Sequence, residues 1–335
     1  MKELSLIIQG ASGTPEYPFE AMMLGLTRLR ELFPLAEIIL STWQWSGERL
    51  AQNEETLRMF DIKLVQNQDP GPLEIRDRGC KYRTNINRML ISSQAGLNAA
   101  TRPLAVKIRS DCFLTGRRIV ELINNYVLNE ALIKREKTFS VFSKRIITAS
   151  WFSRDARGSL PFLFHPGDIF LAGRTEDLQL YFSAPLVTTS VFAPASAPGL
   201  WCAWRYVPEQ WLWVNAIFKR HHRWVFEGNF STEPCMVGLS ERYFLANFVV
   251  FNPRELNLRW PKYWKRYAGR GLFSIYNRCR WLQLYSRIYS EPNGRGGNLL
   301  SYNFTFLWRS GYRVRSRLLA IPFVRRIALN LFTYR

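Results

Sequence analysis

Lys107-Ile108-Arg109-Ser110-Asp111-Cys112 closes an apolar run with two cations and a carboxylate. In an extended strand alternate side chains share a face, so Lys107, Arg109 and Asp111 project together and Ile108 opposes them. That set suits a pyrophosphate and a divalent metal. The cations would neutralise phosphate oxygens, and Asp111 is a hard oxygen ligand for Mn2+ or Mg2+, whose shell phosphates and water complete. An edge strand with a solvated charged face carries the same pattern, and these residues alone leave both readings open. Gly10-Ala11-Ser12-Gly13 is either a nucleotide-facing loop or a plain strand-to-helix turn. It is not a Walker A motif, since no Gly-Lys-Ser/Thr follows, and it is not G-x-G-x-x-G. Trp201, Trp204, Trp211 and Trp213 crowd one stretch, where their rings could pack on sugar C–H faces or fill a core. The three histidines, His165, His221 and His222, lack the spacing of a metal site.

The elements that must position these residues read as an open α/β arrangement. An apolar strand over Leu4 to Ile8, a helix over Phe19 to Leu32 and a strand over Glu37 to Leu40 form a parallel βαβ unit. Ligands bind beyond the carboxyl ends of such strands, which places Gln9, Gly10, Thr42 and Trp43 at a site. Ile62 to Val65 is a third strand, followed by the breakers Asp69-Pro70-Gly71-Pro72. The spacing then predicts a helix over Tyr82 to Ala100, carrying Asn87 and Arg88, and a strand over Leu104 to Ile108. Further β-like runs cover Thr138 to Phe142 and Phe162 to Leu171, the second interrupted by His165-Pro166-Gly167-Asp168. Ala193 to Gly199 is a loop of small residues and proline. A helix starts at Pro208-Glu209-Gln210, because proline is favoured at the first helical position and an acid suits the positive end of the dipole.

The succession Asn85-Ile86-Asn87-Arg88-Met89, Ser92-Ser93, Gly96-Leu97 and Lys107-x-Arg109-x-Asp111 is specific in its order. Ser41-Thr42-Trp43 precedes it, and Asp168-x-Phe170-x-x-Gly173 and Pro208-Glu209-Gln210 follow. Over residues 4 to 215 it resembles the WavE lipopolysaccharide synthesis family, whose members look like GT-A glycosyltransferases. The resemblance implies a GT-A-like Rossmann-type mixed sheet flanked by helices and a nucleotide-sugar donor. It also implies inverting, hexosyltransferase-like transfer to a lipid-linked lipopolysaccharide core or related bacterial surface glycan. Gln9, Gly10 and Thr42 would face the nucleotide, and Arg88, Lys107, Arg109 and Asp111 would hold the diphosphate. Of the Asp-x-Asp metal motif only Asp111 remains, so it is the candidate ligand for Mn2+ or Mg2+, and the cations could replace part of the metal's charge. Glu209 takes the place of the base that removes the acceptor proton, with Asp168 supporting the acceptor or exchanging that role. As a bare sequence feature, each acid could instead serve a helix terminus or a turn.

Charge divides the 335 residues unevenly. The net charge is +20, yet Arg254 to Arg335 alone holds 17 Lys and Arg against Glu255 and Glu291, a net +15. This tail, read as a basic and mainly helical region after a body spanning residues 1–253, alternates arginine clusters with apolar and aromatic residues. Such a composition fits helices lying on an anionic membrane surface. No nucleic-acid motif accompanies the charge, and nucleic acid is not expected as a partner. The competing reading is a non-catalytic basic protein that binds a membrane or nucleic acid. Five widely separated cysteines without a C-x-x-C pair fit a reducing cytoplasm. No run of ~18 apolar residues is present, and the N-terminal apolar run is too short for a signal peptide. With the resemblance to WavE proteins, these features lead to the expectation of a cytoplasmic protein, peripheral on a bacterial inner membrane.

Overall fold

The computed structural model describes residues 2–15, 17–45, 48–77, 80–129, 133–158, 162–192, 204–229, 234–266, 274–289, 307, 314, 318, 321–324 and 326–327. The run Leu4–Gln9 forms β1, buried throughout, as a strand covered on both faces must be. It is followed by α1 (Phe19–Leu32), β2 (Glu37–Trp43), α2 (Glu48–Met59) and β3 (Ile62–Asn67). A hairpin of β4 (Leu73–Asp77) and β5 (Cys80–Thr84) precedes α3 (Ile86–Asn98) and β6 (Leu104–Arg109). Then come β7 (Phe113–Leu114), α4 (Arg118–Ile123), β8 (Ile146–Ala149), β9 (Phe170–Arg174) and α5 (Thr175–Phe182). α6 (Pro208–His221), α7 (Pro234–Asn247), β10 (Phe248–Phe251), β11 (Leu258–Arg259), α8 (Pro261–Arg266) and α9 (Arg278–Tyr289) follow.

Seven strands form the main sheet in the order β10-β8-β9-β6-β1-β2-β3. β9 alone runs against its neighbours, pairing antiparallel with β6 and β8. The sheet is mixed and mostly parallel, flanked by helices, as the sequence led one to expect. Six strands therefore turn their carboxyl ends to one edge, where the amino end of β9 joins them. Pairing of Gln9 with both Ser41 and Arg109 aligns the ends of β1, β2 and β6 there. Helix α3 lies directly on the sheet at Gly96: a Cβ at this position would stand 2.6 Å from Ile7 Cγ2 and 3.0 Å from Ser41 Cβ.

Three expected elements shift. α3 begins at Ile86 rather than Tyr82, because Cys80–Thr84 pairs as a strand with Leu73–Asp77. The run at Thr138 to Phe142 is not a strand but a turn at Lys137–Phe139 followed by irregular chain. There the Val141 and Phe142 amides donate to Asn247 Oδ1 at 2.7 and 3.1 Å. From Phe162 onward a strand forms only at Phe170–Arg174, since Gly167 takes φ +90° and turns the chain first. The loop at 193–199 lies outside the described residues.

Past residue 253 the described chain packs on the body. β11 pairs with β7, and Leu256, Trp260, Tyr276 and Trp281 are buried. α9 rests on the sheet edge, where Trp281 Nε1 donates to Phe248 O at 2.9 Å and the Arg278 guanidinium lies 4.3 Å from the Phe251 ring centroid. Arg287 pairs with buried Glu241 at 2.7 Å and Arg280 with Asp155 at 3.4 Å. Residues 254–289 thus spend part of their positive charge inside the body. Most of residues 313–332, the arginine-rich apolar close of the basic tail, lies outside the described residues. Among the described residues, no helix is long and apolar enough to cross a membrane. If α9 is integral to the core, Trp281→Ala costs about 3–5 kcal/mol, read as a lower urea midpoint in equilibrium unfolding.

Candidate active site

Two clusters of polar side chains occupy the edge where the strand ends meet. The first surrounds the ends of β1, β2 and β3. Gln9 Nε2 donates to Ser92 Oγ and Ser92 Oγ to Arg88 O, each at 2.7 Å, tying the strand end to the first turns of α3. Gly10 turns the chain at φ +128°, and a Cβ there would meet Ser110 Oγ at 2.9 Å. Asn67 Nδ2 bridges Ser41 Oγ and Thr42 O at 3.0 and 2.9 Å. Arg88 grips Asp69 through Nε and Nη2, at 2.7 and 2.5 Å, and holds that carboxyl below the usual range.

The second cluster gathers at the end of β6, the start of β9 and the start of α6. Arg109 donates from Nε to Asp111 Oδ1 at 2.9 Å and from Nη2 to Oδ2 at 2.8 Å, and its guanidinium lies 5.3 Å from the Trp260 ring centroid. Burial would raise the Asp111 carboxyl, but the Arg109 hydrogen bonds and charge, with Trp260 and Lys262, hold it below its ordinary value. Lys107 is fully buried. Its Nζ donates to Asp168 O at 2.6 Å and lies 5.0 Å from the Phe182 ring, so it anchors the backbone that presents Asp168. Desolvation lowers its pKa to about 8.

Glu209 stands in the first turn of α6. That turn is set by Gln210, whose Oε1 accepts from the Val207 amide at 3.1 Å while Nε2 reaches Leu163 O and Asn229 Oδ1. The Glu209 side chain is 14% exposed, and its Oε2 lies 3.4 Å from His165 Nε2. Burial first, and the charge of Asp168 second, push its pKa up to about 8. His165 is held well below its usual value by burial and by Arg154, so the imidazole that faces Glu209 resists protonation. Arg154 Nη1 donates to Ser274 Oγ at 2.6 Å, with the guanidinium 5.2 Å from the Phe152 ring. The arrangement offers a reachable acid that gains and loses its proton near neutral pH, ringed by basic side chains.

A divalent cation does not fit Asp111. Both its oxygens accept from Arg109, its side chain is 3% exposed, and Arg109 and Lys262 surround it with positive charge. Among the described residues, no three His, Cys, Asp or Glu side chains gather into a group that could hold a metal by themselves.

The WavE lipopolysaccharide synthesis family model matches residues 5–316, spanning the sheet, both clusters and the segment after residue 253. The chain belongs to this family. No protein of curated function matches its sequence. Among solved structures, the chain is similar to a cytidylyltransferase from Leptospira borgpetersenii serovar Hardjo-bovis, at 14% identity and TM-score 0.32 over 55% of this chain and 66% of that one. It is also similar to the glycosyltransferase GlyE of Streptococcus pneumoniae TIGR4, at 11% identity and TM-score 0.29 over 55% and 36%. For residues 1–349 of TarS from S. aureus the values are 11% and 0.30 over 96% and 81%. The chain thus spans less than two thirds of the first two structures. Likenesses this distant carry no weight for function.

Within this WavE chain, the expected site residues separate. Asp168, Glu209, Arg109 and Asp111 belong to the second cluster. Gln9 and Gly10 lie at the first. Lys107 does not reach the cleft, because its ammonium is buried beneath the Asp168 carbonyl. Arg88 is taken up by Asp69 instead of converging with Arg109. Thr42 is fully buried, so its side chain faces no ligand. Trp213 is core, packed 4.9 Å from Phe248, and Trp211 packs on Tyr206 and Trp224. Trp201 lies outside the described residues. His165, Arg154, Trp260 and Lys262 escape a reading by motif. The Asp-neighbouring turn His165-Pro-Gly and the Trp260-Pro-Lys262 start of a helix were the available signals.

Glu209 binds its proton more tightly in the folded chain, at about 8, than at its ordinary 4.5. Its contribution to stability is therefore complete below the ordinary value and is lost as pH rises through 8. The thermal midpoint of the wild type should fall relative to Glu209→Gln between about pH 5 and about pH 8, and Asp168→Asn should move that fall to lower pH.

Proposed function

We propose that this WavE chain is an inverting glycosyltransferase. It takes a hexosyl unit from a nucleotide-sugar and transfers it to a hydroxyl of a lipid-linked lipopolysaccharide core or related bacterial surface glycan. The observation that carries the reading is Glu209, a partly exposed carboxyl at a helix start, tuned to about 8 beside Asp168 at the carboxyl edge of the sheet. When ionised, Glu209 accepts the proton of the acceptor hydroxyl. The acceptor oxygen bonds to the anomeric carbon from the side opposite the leaving group. The carbon–oxygen bond to the diphosphate breaks, and the electron pair leaves on the phosphate oxygen, which inverts the anomeric centre. Asp168, held by Lys107, keeps Glu209 basic enough to take the proton and borders the acceptor. The nucleoside lies along Gln9, Gly10, Asn67 and the Arg88–Asp69 pair.

We place the protein in the cytoplasm, on the inner face of a bacterial inner membrane, where a lipid-linked acceptor is found. Exposed Leu307, Val314, Leu318, Ile321, Phe323 and Ile327 support this placement, interspersed in sequence with Arg313, Arg315, Arg317, Arg325 and Arg326.

A thermal-shift screen of UDP-, GDP-, ADP- and CMP-sugars should return one stabilising donor class, whereas a purely scaffolding protein responds to none. With that donor and a core-oligosaccharide acceptor, Glu209→Gln should lose about 10²–10⁴-fold in turnover while still binding the donor. Flotation with vesicles containing anionic lipid should carry the full chain, and salt or neutral vesicles should release it.

A further inference from the structure

We propose that an open groove at the amino edge of the sheet, remote from the candidate active site, binds an organic phosphate, with Arg58, Lys63 and Arg102 meeting the phosphate oxygens. The groove holds about 550 Å³, the size of a small-molecule site. It is bordered by the starts of β2 and β3 and by the turn leading into β6. A strand of six residues is ~20 Å long, so β1 alone sets that distance between this edge and the one where Gln9 lies.

Four cations and two carboxylates line the groove, and both carboxylates are already engaged. Glu37 accepts from Ser5 Oγ and from the Thr101 amide and hydroxyl, the last two at 2.8 and 3.1 Å. Asp61 pairs with Arg30 at 3.3 Å. Carbonyls just past the ends of α1 and α2 would repel an anion, but Arg30, in the last turn of α1, covers them. It donates to Pro34 O at 3.2 Å, Phe60 O at 3.0 Å and Asp61 O at 2.6 Å.

What is left over is positive. Among the described residues neither the Arg58 nor the Arg102 guanidinium has a partner, and Lys63 gives one of its three N–H groups to Ala99 O at 2.9 Å. Arg102 is held by its backbone, whose carbonyl accepts from Thr175 Oγ1 at 2.6 Å and whose amide reaches Ser5 Oγ at 3.4 Å, which leaves its side chain for a ligand. Guanidinium forks take phosphate oxygens in pairs through charge-assisted hydrogen bonds. Pro34 and exposed Leu35 line the same groove and offer apolar contact beside the cations. A phosphate that carries an organic group uses both. A glycerol phosphate meets that description free in solution or as the headgroup of an anionic lipid.

Calorimetric titration of the full chain with glycerol 3-phosphate, and flotation with phosphatidylcholine vesicles with and without phosphatidic acid, test the proposal. One probe should bind saturably. Binding of glycerol 3-phosphate identifies a soluble ligand, and binding of phosphatidic acid vesicles alone identifies a lipid headgroup. Arg58→Ala and Arg102→Ala should each weaken that binding about tenfold, with an unchanged thermal midpoint when no probe is present, and Arg102→Lys should recover part of it. No saturable binding of either probe, or a double variant Arg58→Ala/Arg102→Ala that binds like the wild type, would overturn the inference.

Discussion

The paired hydrogen bonds from Arg109 to Asp111 are the interaction on which the rest of the site depends. A carboxylate this buried is stable only when its charge is met, and removing one partner of such a pair leaves the other stranded at a cost of several kcal/mol. Meeting it with an arginine from two residues earlier fixes the guanidinium plane. It also gives Trp260 a flat cationic surface to pack on. That contact draws the chain after residue 253 over the end of β6, where β11 pairs with β7 and Trp151, Trp260 and Tyr263 pack together. One local ion pair thus helps fix where the stretch after residue 253 packs on the end of β6.

A second constraint works from below. Lys107 is buried with its ammonium on the Asp168 carbonyl, so the chain entering β9 is held at the sheet's carboxyl edge although β9 itself runs the other way. Asp168 is thereby fixed near Glu209, and like charge combined with burial keeps the Glu209 proton on until the pH approaches 8. The position of one strand and one helix terminus brings the two acids together. His165 completes the group as an uncharged neighbour, since Arg154 and burial both oppose its protonation.

The clusters lie on either side of β1, where the strand order reverses from β3-β2-β1 to β6-β9-β8. Gln9 sits at that point. Its register with both Ser41 and Arg109 sets the two clusters side by side. Ridding the crossing of side-chain bulk falls to Gly10 and Gly96, each occupying a spot where a Cβ would collide.

The parallel core strands were legible in the amino-acid sequence because apolar runs bounded by turn residues encode burial locally. β1, β2, β3 and β6 and the helix at Pro208 all follow from it. The placement of Asp168, Glu209 and Arg109 near strand and helix ends was legible too, since ordered motifs mark such ends. What lay beyond reach was set by partners distant in the chain. Strand alternation put Lys107 with Arg109 and Asp111, but whether its ammonium meets a ligand or a backbone carbonyl 61 residues away depends on where β9 is laid down. Arg88 looked like a phosphate cation until Asp69, 19 residues earlier, came within hydrogen-bond reach. The charge of the segment after residue 253 was plain from composition. Its destination was not, because a cluster of arginines reads the same whether its partners are lipid headgroups or, as for Arg280 and Arg287, buried carboxylates. Composition and periodicity report what a residue can do. Only the packed chain brings together the groups that settle which of those possibilities is used.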